Sequence, residues 1–391
     1  MKGAAVVHYD PLDPDTLENP YSFYRQLRKN SPVFWHEQMK SWVLAGYHDC
    51  REVLRDHEVF ARDRGRLGIE VPEFQQNIQS LDPRTRRPCE VFTNALRRQD
   101  LDSVASAARR QILALLESLA DRPRFDFMLE IAAPVALTMT SQLLGVPEPD
   151  LAEYVDISDW LAQRMDAGLR PEAVESGDLA RKKLIKLVDQ WFDGAGVDGG
   201  LAGLQQDAKR DEIPEHYVRN TVGTVFNASF GTLYATAGNV LLTLFQHPEA
   251  FELLKDSSLL ASGTDELIRF DGPAQATSRV AVSRTKIGGI TIERGQTVVA
   301  LLASANRDPE QFDRPDELVL DRKPNRHLGF GWGPHACLGS MFGQIAVRAL
   351  VESLVELPAP LRMAGSPTRR RTATVRTIGV FPVSLDGRTG R

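Results

Sequence analysis

From Pro214 to about Phe245 the chain reads as one long helix, opened by a proline and followed by His247-Pro248. Proline suits a first helical turn, where its missing N–H would have no partner, and it cannot continue a helix past its end. At about 1.5 Å of rise per residue, such a rod is long enough to cross an entire domain. It holds no unbroken run of about 18 apolar residues, so a buried core element is expected rather than a membrane span. A chain that must bury such a rod tends towards a mainly helical architecture.

Composition agrees. Hydrophobic residues make up 42% and charged residues 25% of 391, which excludes a disordered chain, a collagen and a disulfide scaffold. The formal net charge of −5 gives no global footprint for nucleic acid. Only Cys50, Cys89 and Cys337 are present. An odd, sparse set points to a reducing cytoplasm and rules out a four-cysteine zinc or iron–sulfur site within the chain. The opening residues lack the long apolar core of a signal peptide. Length alone suggests two or three domains. Because no repeat or low-complexity linker divides the chain, the expectation is one domain over 1–391, mainly α with a small β-rich part.

Local patterns fill in this outline. Tyr21 to Lys29 and Tyr47 to Asp56 read as helices, with Val53 and Leu54 facing inward. Between them, Val33-Phe34-Trp35 and Ser41-Trp42-Val43-Leu44 read as strands around a polar turn. Ala61 to Pro83 reads as a long irregular segment, often functional in a compact fold. Leu101 to Leu119, Ile131 to Leu144 and Leu179 to Phe192 carry apolar residues at helical spacing, the second closing at Gly145. After a short helix at Thr264 to Phe270 come β-branched strands at Thr277 to Val282, Thr285 to Ile287, Thr291-Ile292 and Thr297 to Leu302. An irregular stretch, Asn306 to Pro324, precedes a last helix, Leu338 to Val355, and Thr374 to Val383 reads as a closing strand pair. Gly194-Ala195-Gly196-Val197-Asp198-Gly199 matches a dinucleotide fingerprint by letter, but a helix precedes it and no βαβ unit follows, so it reads as a flexible loop.

The most informative segment is Phe330-Gly331-Trp332-Gly333-Pro334-His335-Ala336-Cys337-Leu338-Gly339. Three glycines and a proline make a tight loop that permits close backbone approach to something flat or bulky. Cys337 sits where the loop meets a helix, a place that lowers a thiol's pKa and offers N–H groups to a thiolate. That makes Cys337 a candidate anionic sulfur ligand. Two alternatives stand beside it: an inert buried cysteine, and a Cys–His nucleophile with His335, for which no oxyanion arrangement is readable.

The loop resembles the haem-binding signature of the cytochrome P450 superfamily, F-G-x-G-x-x-x-C-x-G, with every fixed position filled. The resemblance extends over most of the chain and is best from Pro214 to Val355. It implies the P450 fold, with the long helix crossing over a haem b (iron protoporphyrin IX). Cys337 would be the axial thiolate, which favours O–O cleavage. Glu266-Leu267-Ile268-Arg269, by itself an ordinary i, i+3 ion pair, resembles the family's E-x-x-R motif, with Arg322 as third partner. Arg279 and His335 match propionate contacts. Arg86, with Arg87 as rival, would occupy the N-terminal propionate position, although the family's histidine is missing there and an arginine run also suits a solvent-facing surface.

On the long helix, Ala228-Ser229-Phe230-Gly231-Thr232 falls on the family's [AG]-G-x-[DE]-T motif. Thr232 is present as the oxygen-handling residue, but Gly231 stands where the acid that delivers protons would be. A helix threonine bonded to its own backbone is the plainer reading of Thr232. The resemblance implies a monooxygenase acting on a medium-sized organic molecule with O2. Electrons would come from a separate ferredoxin and ferredoxin reductase, docking near Cys337 where Arg97, Arg98, Arg109 and Arg110 offer cations. The missing acid keeps an oxidative-coupling or peroxide-driven enzyme open, and a non-catalytic haem sensor is a third reading.

Overall fold

The computed structural model describes residues 9–62, 64–79, 86–194 and 200–385, with the backbone alone for 86–89. The Gly194–Gly199 fingerprint falls largely outside the described residues, as does most of the Asp82–Pro88 run.

Helices carry the N-terminal two thirds. In chain order they are α1 Pro14–Glu18, α2 Pro20–Asn30, α3 Tyr47–Arg55, α4 Arg86–Arg97 and α5 Leu101–Ser118. Next come α6 Ala133–Leu144, α7 Leu151–Met165, α8 Val174–Asp193 and α9 Gly200–Arg210. The long rod is α10, Glu215–Gln246, and it is followed by α11 Pro248–Leu253, α12 Leu260–Asp271, α13 Leu302–Ala305 and α14 Ser340–Val355. Local chemistry sets several ends. Asp100 and Asp150 cap α5 and α7 through their carboxylates, and Gly145 ends α6 at φ 66°. The α6 rod is entered through a π-turn, Met128–Ala132, so it starts earlier and less regularly than the periodicity from Ile131 suggested.

By length and composition α10 would suffice to cross a membrane, but 56% of its most apolar stretch is buried inside the fold. It is apolar on nearly all faces, as a core helix must be. Phe226, Phe230, Tyr234 and Leu241 join the main core with residues of α5, α6, α8 and α14.

The β-rich part begins with β1 Val33–His36, β2 Ser41–Leu44, β3 Phe60–Ala61 and β4 Phe125–Asp126. It continues with β5 Thr277–Ala281, β6 Thr285–Ile287, β7 Ile290–Ile292 and β8 Thr297–Ala300, and ends with β9 Leu361–Met363, β10 Thr368–Arg369, β11 Ile378–Val380 and β12 Pro382–Leu385. One sheet has the order β1-β2-β8-β5-β3, with β2 and β8 parallel and the other pairs antiparallel. It places Arg279 opposite Val298 in the strand next to the cavity described below. The expected closing pair at Thr374 to Val383 is not a pair. Its two strands join different partners: β11 lies on β10, and β12 lies between β4 and β9. Strand 297–302 also ends early, at Ala300, because Leu302 opens α13.

Candidate active site

The Phe330–Gly339 loop is fixed by its own backbone. Cys337 N–H donates to Phe330 C=O at 2.8 Å, and Ala336 N–H to Gly333 C=O at 3.0 Å. Gly331 and Gly333 have φ of 70° and 75°. At Gly333 a Cβ would lie 2.6 Å from Leu54 O and 2.9 Å from Arg55 Cα, so only glycine lets the loop cross the end of α3.

Helix α14 begins at Ser340, later than expected, and Cys337 is therefore not its first residue. Burial pushes the Cys337 thiol up, outweighing the Gly339 N–H that donates to it and the nearby Arg62. The expected lowering at the helix start survives only as the N–H of Gly339, the N-cap of α14, and burial outweighs it. The cysteine surface is nonetheless accessible, because it opens onto a cavity of about 1430 Å³. Drug-sized ligands usually occupy about 300–1,000 Å³, so this space suits a large prosthetic group together with a substrate.

Cys337, His335, Arg279 and Thr232 all line that one cavity. So does Arg62, which sequence reasoning missed because nothing local distinguishes a lone arginine in the 61–83 segment. Arg279 is buried, its Nε has no partner, and its Nη1 donates to Ser278 O at 2.8 Å and Thr277 Oγ1 at 3.2 Å. Burial, reinforced by Arg62, pushes its pKa down to about 9. Two guanidiniums thus face one cavity, neither with a carboxylate partner among the described residues, an arrangement that favours an anionic guest. Arg86 lies in the first turn of α4, and its side chain is outside the described residues.

The Glu266–Arg269 pair is no exposed salt bridge. Both side chains are fully buried. Arg269 donates from Nε and Nη2 to the two carboxylate oxygens at 2.7 Å each. Arg322 Nε lies 3.1 Å from both oxygens, and Val319 N–H donates at 2.8 Å. The second cation is matched by carbonyls: Arg269 also donates to Asn306, Pro315 and Glu317, and Arg322 to Asp313, Arg314 and Glu317. One charge cluster therefore organises the irregular 306–325 stretch that leads into the cysteine loop.

Over the cavity, Thr232 Oγ1 donates to Ala228 O at 2.6 Å, the self-bonded geometry, which leaves its lone pairs free to accept. A Cβ on Gly231 would lie 3.2 Å from Ser158 Oγ of α7. The helix glycine, costing about 1 kcal/mol against alanine, is thereby explained by close approach of α7. Of the cations expected to face a partner, Arg98 pairs with Asp207, and Arg109 pairs with Glu352 and Glu356; Arg97 and Arg110 are exposed. Among the described residues no three His, Cys, Asp or Glu side chains converge. A metal held at Cys337 would therefore have to bring its other ligands with it.

Known proteins resemble this chain in sequence and fold. The family model for cytochrome P450 matches residues 251–357. The chain is 30% identical over 379 residues to putative cytochrome P450 126 of Mycobacterium tuberculosis, covering 90% of this chain and 91% of that protein. It is 27% identical over 389 residues to the biotin biosynthesis cytochrome P450 of Bacillus subtilis, covering 95% and 97%. The crystal structure of CalO2 matches with a TM-score of 0.83 at 27% identity, covering 97% of this chain and 99% of that one. A thiol on a glycine loop beneath a core-crossing helix, in a chain alike from end to end, places this protein in the cytochrome P450 family of oxidoreductases.

Proposed function

We propose that this cytochrome P450 is a haem-thiolate monooxygenase of the cytoplasm, working as one domain. It inserts an oxygen atom from O2 into a medium-sized organic substrate. The observation that carries the reading is the single cavity that joins the Cys337 thiol to the anion-seeking pair Arg62 and Arg279. Those residues fit haem b: a planar group with its own nitrogen ligands needs one thiolate and cations for two carboxylates. When bound, thiolate-ligated haem supplies the activation of dioxygen.

The chain's own side chains have distinct tasks. Cys337 would hold the iron as a thiolate, the form in which a cysteine ligates a metal. Arg279, Arg62 and His335 hold the propionates, with Arg86 assigned there by resemblance. Glu266, Arg269 and Arg322 hold the cysteine loop in register. Thr232 accepts a hydrogen bond from water above the site. Apolar residues of α7, α8 and α10 receive the substrate and exclude water. A separate ferredoxin, itself reduced by a ferredoxin reductase, supplies electrons. Cys337→Ala should abolish the thiolate-type spectrum of the reduced CO complex; an unaltered spectrum in that variant would refute the assignment.

Gly231 beside a self-bonded Thr232 supports a second reading. With no acid in place, peroxide could drive the reaction, or the enzyme could couple substrates oxidatively. Turnover with NAD(P)H, ferredoxin and reductase, compared with turnover on peroxide alone, separates the two.

A further inference from the structure

Charge is unevenly spread along the cavity wall. Its lining includes Arg62, Arg164, Arg181, Arg219, Arg279 and Arg370 against Glu73, Asp159 and Asp189. Most of these are matched nearby. Arg370 Nη1 lies 2.6 Å from Asp159 Oδ1. Glu73 lies 3.6 Å from His216 Nδ1. Arg219 meets three carboxylates, Asp189, Asp193 and Glu215, at 3.0, 3.1 and 2.6 Å, so that end of α8 repels anions. Arg62 and Arg279 belong to the cofactor cradle proposed above.

One imbalance remains, at the rim between α7 and α8. Arg164 Nε lies 3.1 Å from Asp178 Oδ1, and Arg181 Nη1 lies 3.9 Å from the same oxygen. A single carboxylate serves two guanidiniums, and the more distant one, Arg181, is left under-matched. The cluster is built rather than incidental. A Cβ at Gly177 would lie 2.4 Å from Arg164 Cβ, so glycine there lets the two helices approach and brings Arg164 to Asp178. Exposed Lys182 and Lys186 on α8 add to the positive field and have no carboxylate partner among the described residues. Below the cations the wall turns apolar, with Leu161, Leu184, Ile185 and Val188. Along α7, Arg164 is six residues, about 9 Å of helix, beyond Ser158, whose Oγ would lie 3.2 Å from a Cβ on Gly231.

We infer that this rim is an anion subsite and that the substrate is an amphipathic acid. Its carboxylate or phosphate monoester is held by Arg181 and Arg164 through charge-assisted hydrogen bonds. Its apolar body lies on the α7–α8 wall, and its far end points towards Cys337. The inference rests on the proposed monooxygenase reading only in taking this cavity as the substrate site.

The test is calorimetric titration of the holoenzyme with decanoate, decyl phosphate and decanol below their aggregation limits. At least one anionic probe should bind about tenfold or more tighter than decanol, the worth of roughly one hydrogen bond to a charged group. The two anionic arms show which headgroup fits. Arg181→Gln should erase the preference while leaving decanol binding unchanged, and Arg181→Lys should keep part of it. Equal binding of acid and alcohol, a preference that survives Arg181→Gln, or no binding of either anion overturns the inference. Heat of binding is read whatever ligates the iron. An absent thiolate spectrum with intact anion preference therefore refutes only the haem-thiolate reading, and the reverse outcome refutes only this one.

Discussion

Arg62 and Arg279 donate to the same hydroxyl, that of Thr277, at 3.4 and 3.2 Å. No carboxylate among the described residues reaches either guanidinium. Two like charges in a buried space are unfavourable unless an anion joins them. Arg279→Met should therefore weaken haem retention, measured as faster transfer of hemin to apomyoglobin. The same change should leave the haem-free protein no less stable to urea, because it removes an unmatched buried cation. A haem-free variant much less stable than its parent would show that Arg279 serves the fold instead.

Glu266 is the one carboxylate between Arg269 and Arg322, and all three side chains are buried. Glu266→Gln keeps the shape but leaves both cations without a counter-charge. It should cost about 3–5 kcal/mol in urea unfolding, the usual price of breaking a buried pair. A loss below about 1 kcal/mol, the range of exposed pairs, would mean that the network is not what holds the 306–325 stretch.

How far the sequence carries depends on whether a feature is local. Helix α10 was legible because its punctuation, Pro214 and Pro248, lies within the same stretch. The cysteine loop was legible because its glycines and thiol are neighbours. Local reading failed where partners are distant in the chain. The strand residues of 374–383 look like a hairpin, yet they pair with segments as remote as Phe125-Asp126. Gly231 reads as a missing acid in its motif, with nothing local to say what offsets a helix glycine there, and its packing partner Ser158 belongs to another helix. Arg62 carries no local signal, since its meaning lies in facing Arg279 across the chain.

That contact governs what an acid at position 231 can do. Adding a side chain in a packed groove costs about 1–3 kcal/mol when neighbours must shift, against a gain of only about 0.3 kcal/mol from replacing a helix glycine by aspartate, itself a poor helix former. Gly231→Asp alone should lower the melting temperature, and Gly231→Asp with Ser158→Ala, which removes the facing Oγ without putting a glycine into α7, should recover it. If the acid then raises product formed per NAD(P)H in the double variant, proton supply limits the native enzyme.

Asp271 ties the N-terminal segment to the core. Tyr21 Oη donates to it at 2.5 Å, and Arg376 Nε donates at 2.9 Å. Burial alone would push its carboxyl up, but Arg376, Arg369, the Tyr21 hydroxyl and Arg307 together hold it below the usual range. A depressed folded-state pKa contributes stability that is present above the unfolded value, about 3.9, and is lost as pH falls through the folded value. Asp271→Asn should therefore destabilise the protein at pH 7 and flatten its acid-denaturation limb below about pH 4. Urea melts at both pH values check this; equal losses at each would rule out the charge as the cause.

The segment around Glu73–Gln75, which also lines the cavity, is a single 3-10 turn with Phe74 exposed. Such a segment makes few contacts of its own, so the first turns of α10 must position it. Asn220 Nδ2 donates to the Glu73 and Gln76 carbonyls at 2.8 and 2.9 Å. Tyr217 donates to Asn77 O, and Ile78 N–H donates to Thr221 Oγ1 at 3.0 Å. Asn220→Asp is nearly isosteric but cannot donate, and it would set a carboxylate against two carbonyls. It should speed proteolytic cleavage within 73–78 and weaken ligand-induced spin-state shifts at least as much as Asn220→Ala does. Cleavage at the parental rate in the aspartate variant would mean that packing, and not these two hydrogen bonds, holds the wall in place.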